Sequence, residues 1–229
     1  AGIINHNLAR LAGEFGLGMG LGSCHVLLRN EKHLPDFDLR EEIGHDQPFY
    51  ANMGIAQIES FLEKGDVKTL KDLVKLLKAD GLIVHVNPLQ EWLQPEGDRI
   101  QHPPIDTIRG LLQKADFEVI VKEVGQGMGR ESLRHLLELP LAAVEFGAFG
   151  GTNFAKLELL RDESGQKSLL EPLSYIGQTA SDMVGDINEL HQQGKSIQTK
   201  SLIISGGIKN FLDGYHLIHK SKMPAAYGM

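Results

Sequence analysis

An α/β fold built on parallel strands is what this sequence predicts, and three observations carry the prediction. Apolar strand segments alternate with amphipathic helical segments along the chain, a pattern that calls for parallel strands joined by right-handed crossovers. The stretch Gly81 to Arg99, GLIVHVNPLQEWLQPEGDR, opens as a strand apolar on both faces, which a sheet covered by helices demands. Where that run stops, His85, Asn87, Gln90 and Glu91 follow within seven positions, at the carboxyl end where such strands carry their sites.

The elements follow in order. Ala1 to Phe15 places Ile3, Ile4, Leu8, Leu11, Ala12 and Phe15 at roughly the spacing of one helix face. Gly16 to Ser23, GLGMGLGS, is a poor strand by propensity, acceptable only where something packs close against its backbone. Cys24 to Asn30 reads as a short helical turn and His33 to His45 as a polar, acidic connection. Pro48 to Gly54 is the next strand, followed by helices at Ile55 to Lys64 and Asp66 to Lys78. In the second of these, Leu70, Leu73, Val74 and Leu77 fall on one face. The central strand spans Leu82 to Asn87, where Pro88 pins the departing backbone and offers no N–H, so a polar loop follows. Pro103 and Pro104 end that loop, and Ile105, Ile108, Leu111 and Leu112 mark a helix. Glu118 to Gly125 is a strand, Arg130 to Leu139 a helix, and Ala142 to Gly147 a strand running into the loop AFGGTNF. Phe154 to Gly194 is the least regular part, with a polar stretch at Arg161 to Ser168 and a helix from Thr179 to Gln193. Ser201 to Ile208 is a strand, Asn210 to His219 its helix, and Ala225 to Met229 the start of a further strand.

Seven strands are thereby counted, and a closed parallel barrel needs eight. The expectation is a single-domain (β/α)8 TIM barrel over residues 1–229, seen incomplete, with a first strand before Ala1 and a last helix beyond Met229. An open doubly wound sheet is the alternative. A chain of 229 residues is long enough for one large core. Thirty acidic against 23 basic residues, a net charge of −7, give no general attraction to a phosphate backbone, so nucleic acid is not the expected partner. The lone cysteine, Cys24, excludes an intrachain disulfide and suits a reducing compartment; it reads as a buried structural thiol. With no apolar run of membrane-spanning length and no signal peptide order at the start, the expected setting is the cytoplasm, away from the membrane.

Residues at the strand ends form a pattern: Ser23, Asn52, His85 with Asn87, Lys122, Thr152, and Ser205 with Gly206 and Gly207. Converging from different strands, they would make one site. Lys122 follows an apolar strand and requires an anion or an electron-rich partner; a structural ion pair with Glu96 or another acid is the competing explanation. The turns at Gly150, Gly151, Thr152 and at Ser205, Gly206, Gly207 suit phosphate, because glycine allows close backbone approach and successive N–H groups cradle the charge. Glu91 offers a hard carboxylate ligand for magnesium, whereas Gln90 cannot titrate and only orients or stabilises. Trp92 reads as cover for a core edge. No cysteine and histidine cluster has zinc spacing, and no GxSxG elbow supports a Ser/His/Asp triad.

The run HVNPLQEWLQPEGD at His85 to Asp98, with VIVKEVGQGM (Val119 to Met128), FGAFGGTNF (Phe146 to Phe154), SGGI (Ser205 to Ile208), NHNLA (Asn5 to Ala9) and ANMG (Ala51 to Gly54), resembles the type 2 isopentenyl diphosphate isomerases. The resemblance covers most of the chain. It implies a (β/α)8 barrel that binds reduced FMN and magnesium, takes NADPH as reductant, interconverts isopentenyl and dimethylallyl diphosphate, and forms homotetramers or octamers. It further implies FMN contacts at Ser23, Asn52, Lys122, Thr152, Ser205, Gly206 and Gly207. Substrate contacts would fall at His25, His85, Asn87 and Gln90, with Gln90 beside the isoprenoid double bond, and the magnesium ligand would be Glu91. Two departures stand out. The family carries an arginine two positions after its serine, where this chain has His25, a weaker clamp for phosphate. The family's MTGG flavin segment is absent from the sequence. Two other functions compete: an FMN-dependent oxidoreductase of 2-hydroxy acids, and a degenerate, non-catalytic barrel that binds a phosphorylated ligand.

Overall fold

A computed structural model describes residues 2–94, 96–161 and 167–229, with Lys167 described by its backbone alone. Of the polar stretch expected at Arg161 to Ser168, residues 162–166 lie outside the described residues, as does Pro95. The strands are β1 (Met19–Gly20), β2 (Phe49–Gly54), β3 (Gly81–His85), β4 (Glu118–Lys122), β5 (Ala143–Glu145), β6 (Ser201–Ile204) and β7 (Ala225–Tyr227). They follow one another in chain order along a seven-stranded sheet, and the pairs β1–β2, β4–β5, β5–β6 and β6–β7 are parallel. The α/β class and the parallel pairing are as expected. The chain falls into two compact units: Ala1–Val84 with Asp106–Val119, and His85–Ile105 with Ile120–Met229.

In the first unit the opening helix, Gly2–Phe15, corrects the sequence reading. Its apolar positions Ile3, Ile4, Leu8, Leu11 and Phe15 are exposed, and the face that packs is Ala9 and Ala12. Small side chains there let the backbone approach helix Arg40–Ile43 closely: a Cβ on Gly13 would stand 2.5 Å from the Glu42 carbonyl oxygen. The polar connection expected at His33 to His45 is therefore partly helical, with a 3-10 turn at Glu31–Asp36 before that helix. Arg40 is buried and fully engaged. Its guanidinium donates to the carbonyls of Lys78, Gly44 and Gln47, pairs with Asp80 at 3.0 Å and stacks 5.1 Å from the Phe49 ring. A buried charge is tolerable only with such compensation. Since Asp80 also accepts the Phe49 N–H at 2.8 Å, the network fixes where β2 begins. Strand β1 forms only two residues, because GLGMGLGS has few side chains with which to hold a ladder.

In the second unit, β5 and β6 bury Ala143, Val144, Leu202 and Ile204, and helices Arg130–Leu137 and Ala180–Gln192, which pack on each other, bury Leu133, Leu137, Met183 and Ile187. The latter helix starts at a capping box in which Thr179 and Asp182 satisfy each other's backbone N–H. One helix stands where a loop is expected and another opens the part that reads as least regular. Pro88–Leu93 begins with proline in its first turn, where the missing N–H is no loss. Phe154–Arg161 packs against it through Leu93, Ala155 and Leu159. Trp92, expected to cover a core edge, is exposed instead. Among the described residues no helix is long and apolar enough to cross a membrane.

Candidate functional site

The candidate residues divide between the units. In the first, Ser23, His25 and Asn52 surround the turn after β1. Asn52 is buried at the end of β2; its side-chain amide donates to the Leu21 carbonyl at 2.8 Å, and its own carbonyl accepts the Cys24 N–H at 2.8 Å. Asn52 thus fixes the turn that presents Ser23, which is exposed, and His25, which opens helix His25–Arg29. Cys24 is fully buried with its pKa pushed up to about 11 by burial, so it is the inert structural thiol expected from the sequence.

In the second unit, β3 ends at His85, and Asn87 leads into helix Pro88–Leu93. Asn87 is buried. Its Nδ2 donates to Gln90 Oε1 at 3.1 Å and to Glu91 Oε1 at 2.9 Å, while its Oδ1 is buried with no partner among the described residues. An orphaned buried acceptor is costly unless something donates to it. Gln90 Nε2 in turn donates to Glu158 Oε1 at 3.2 Å. Glu158 is buried on helix Phe154–Arg161 and anchored by Arg161 at 2.7 Å. A carboxylate only accepts, so it fixes which end of the Gln90 amide carries the NH2. Glu91 Oε2 accepts the Asp98 N–H at 2.8 Å, leaving each carboxylate oxygen with further acceptor capacity. Glu158 was not legible in the sequence, because its partner lies 68 residues away in the chain.

His85 is held neutral: its pKa is lowered to about 4, first by burial and then by the Lys122 charge. Its unfolded value is near 6.5, so between those values the unfolded chain binds the extra proton. Stability associated with His85 is complete above pH 6.5 and lost as pH falls toward 4. We expect the His85 ring protons to titrate near pH 4 by NMR, and His85→Gln to flatten the fall in the urea midpoint across that window.

Lys122 ends β4, and its Nζ donates to the Glu123 carbonyl at 3.1 Å. The competing pairing with Glu96 does not occur, since Glu96 bonds Arg161 at 2.9 Å. The two glycine turns meet. Ser205 Oγ accepts the Gly147 N–H at 3.0 Å and donates to Glu145 at 3.1 Å, and the Ser205 carbonyl accepts the Ala148 N–H at 2.9 Å. A Cβ on Gly206 would stand 2.2 Å from the Ala148 carbonyl oxygen, and one on Gly151 3.2 Å from the Gly207 nitrogen. Among the described residues, the amides of Gly150, Gly151, Thr152, Gly206 and Gly207 donate to no carbonyl. Closely packed backbone with several available N–H groups is the chemistry of a phosphate cradle, and a phosphate monoester fits these donors. Among the described residues no group of three or more His, Cys, Asp or Glu stands ready to hold a metal. A magnesium ion shared with substrate phosphates needs only one or two carboxylates, and Glu91 suits that role.

No family model matches the chain. Curated relatives do. It is 31% identical to the isopentenyl-diphosphate delta-isomerase of Chlorobium phaeobacteroides over 223 residues, covering 93% of this chain and 60% of that protein. It is 35% identical over 213 residues to the isomerase of the same name from Deinococcus radiodurans, covering 93% of this chain and 60% of that protein. The corresponding protein of Rickettsia felis is 33% identical over 215 residues, with 93% and 59% covered. The chain therefore spans about three fifths of the length of the curated relatives it matches. By sequence, the chain is similar to isopentenyl-diphosphate delta-isomerases over most of its own length.

Proposed function

We propose that the protein interconverts isopentenyl and dimethylallyl diphosphate as a flavin-dependent, type 2 enzyme, and that its seven parallel strands belong to a (β/α)8 barrel. What carries this reading is the Asn87, Gln90, Glu91 and Glu158 network, an uncharged amide held at both ends beside a carboxylate with capacity for a hard cation. Moving an alkene one bond along requires a proton added at one carbon and removed at another, through a transition state with cationic character. Residues near the reacting carbons must therefore not oppose positive charge. Gln90 meets that requirement, and so does His85, which stays neutral across physiological pH. Glu91 would hold Mg2+ against the diphosphate, and the amides of Gly150, Gly151, Thr152, Gly206 and Gly207, with Lys122, would hold the FMN phosphate. Bound reduced FMN would supply an electron-rich surface and a proton-exchanging ring. Asn87 Oδ1 is left to accept from the substrate side, and Ser23, His25 and Asn52 complete the proposed contacts. NADPH as reductant, assembly as a homotetramer or octamer, and a cytoplasmic setting belong to the same proposal.

The test is NMR of isopentenyl diphosphate incubated with the protein, FMN, Mg2+ and NADPH, alongside the visible spectrum of the protein after removal of free flavin. Conversion to the dimethylallyl isomer with retained flavin absorbance is the expected result. Retained flavin without conversion overturns the substrate assignment, and no retained flavin overturns the cofactor assignment.

A further inference from the structure

The second unit contains a buried acid that the proposed chemistry does not use. Glu123 follows Lys122, the last residue of β4, and opens the loop that leaves the strand. It is buried, and a single oxygen, Oε2, accepts four consecutive backbone N–H groups: Val124 at 2.7 Å, Gly125 at 2.7 Å, Gln126 at 2.6 Å and Gly127 at 3.1 Å. Successive amides wrapped round one anion form a nest, and here the chain fills its own nest. Burial raises the Glu123 pKa, and the four donors act in the opposite direction.

The loop so gathered is the floor of the first glycine turn. The Gly127 N–H donates to the Gly147 carbonyl at 3.1 Å, and a Cβ on Gly125 would stand 2.5 Å from the Thr152 carbonyl oxygen. Glu123 touches the turn directly as well, since a Cβ on Gly147 would stand 2.0 Å from the Glu123 carbonyl oxygen. That same carbonyl accepts from the Lys122 ammonium. One residue therefore meets both parts of the proposed phosphate cradle: its carbonyl holds the lysine, and its carboxylate sets the loop on which residues 147–152 rest.

We propose that Glu123 is a positioning residue that holds Lys122 and the Gly147 to Thr152 turn in register for an anionic phosphate. The claim rests on the FMN reading above for the identity of the ligand and on the backbone geometry alone for the register. Glu123→Gln keeps the side chain's size while removing its charge, and Glu123→Asp keeps the charge while withdrawing it by one methylene. Hydrogen exchange of the FMN-free protein, read by mass spectrometry, is expected to quicken about tenfold at residues 124–127 and 147–152 in both variants, the size expected for losing one charge-assisted hydrogen bond. Titration with FMN, followed by flavin fluorescence, is expected to show a Kd raised about tenfold on the same ground. Faster exchange confined to 124–127, with 147–152 unchanged, overturns the proposal. So does an unaltered Kd in the folded fraction, which is what a merely structural glutamate would give. If one variant does not fold, the other supplies both readouts. If the parent itself binds no FMN, the cofactor reading fails, and exchange at 147–152 still decides whether Glu123 sets the register.

Discussion

Replacing Gly206 with alanine is expected to destabilise the protein by about 3–5 kcal/mol and to lower Tm by roughly 10 °C. Two effects add. The backbone at Gly206 has φ +88°, a conformation that L side chains rarely adopt. The new Cβ would also stand 2.2 Å from the carbonyl oxygen and 2.3 Å from the nitrogen of Ala148, and backbone cannot move aside as a flexible side chain does. Relief requires the two glycine turns to separate, so FMN retention should fall together with stability. Gly185→Ala supplies the opposite sign. It lies within helix Ala180–Gln192 at a negative φ, with nothing within 4 Å of the added methyl, and there alanine should stabilise by up to about 1 kcal/mol. Thermal melts of the two variants check both statements. A Gly206→Ala variant with parental Tm and parental FMN retention would show that the turns do not need their close approach.

The contrast between those glycines shows what the sequence makes legible. It marks Gly206 as a strand-end glycine but not the Ala148 backbone that presses on it. Strands β2 to β6 are legible because their apolar runs extend over both faces, as burial of Ala51, Met53, Leu82, Ile83, Val84 and Val119 to Val121 bears out. The opening helix misleads because its large apolar side chains lie on one stripe while the packed face uses Ala9 and Ala12. A small-residue contact gives no hydrophobic signal. Helix Pro88–Leu93 has six residues, under two turns, too short for periodicity to register, so the segment with the richest chemistry reads as a loop. The polar residues of the candidate site were legible by type and by their place at strand ends. Their partners were not: Glu158 reaches Gln90, and Ser205 reaches Gly147, only through packing that brings distant segments together.

Gln90→Ala is expected to lower kcat for isomerisation by about 10²- to 10³-fold with little effect on FMN affinity, the loss typical of removing one preorganised polar group beside developing charge. The amide is firmly held. Oε1 accepts from Asn87 at 3.1 Å and Nε2 donates to Glu158 at 3.2 Å, so little reorganisation is needed when a substrate arrives. Gln90→Glu tests the orientation as well as the presence of that group. It sets two carboxylates at hydrogen-bond distance, and like charges so close cannot both ionise, so one pKa is driven upward. The variant should be most active in acid, where the shared proton keeps the pair together, and should lose activity as pH rises through the elevated pKa, a fall the parent does not show. A pH–rate profile of kcat for the parent, Gln90→Glu and Glu158→Gln separates the possibilities. If the fall is present in Gln90→Glu and disappears when Glu158→Gln is added, Glu158 is the residue that holds Gln90 in place. If Gln90→Glu gives a parental profile, the amide does not face the reacting carbons, and the isomerase chemistry has to be sought elsewhere on the strand ends.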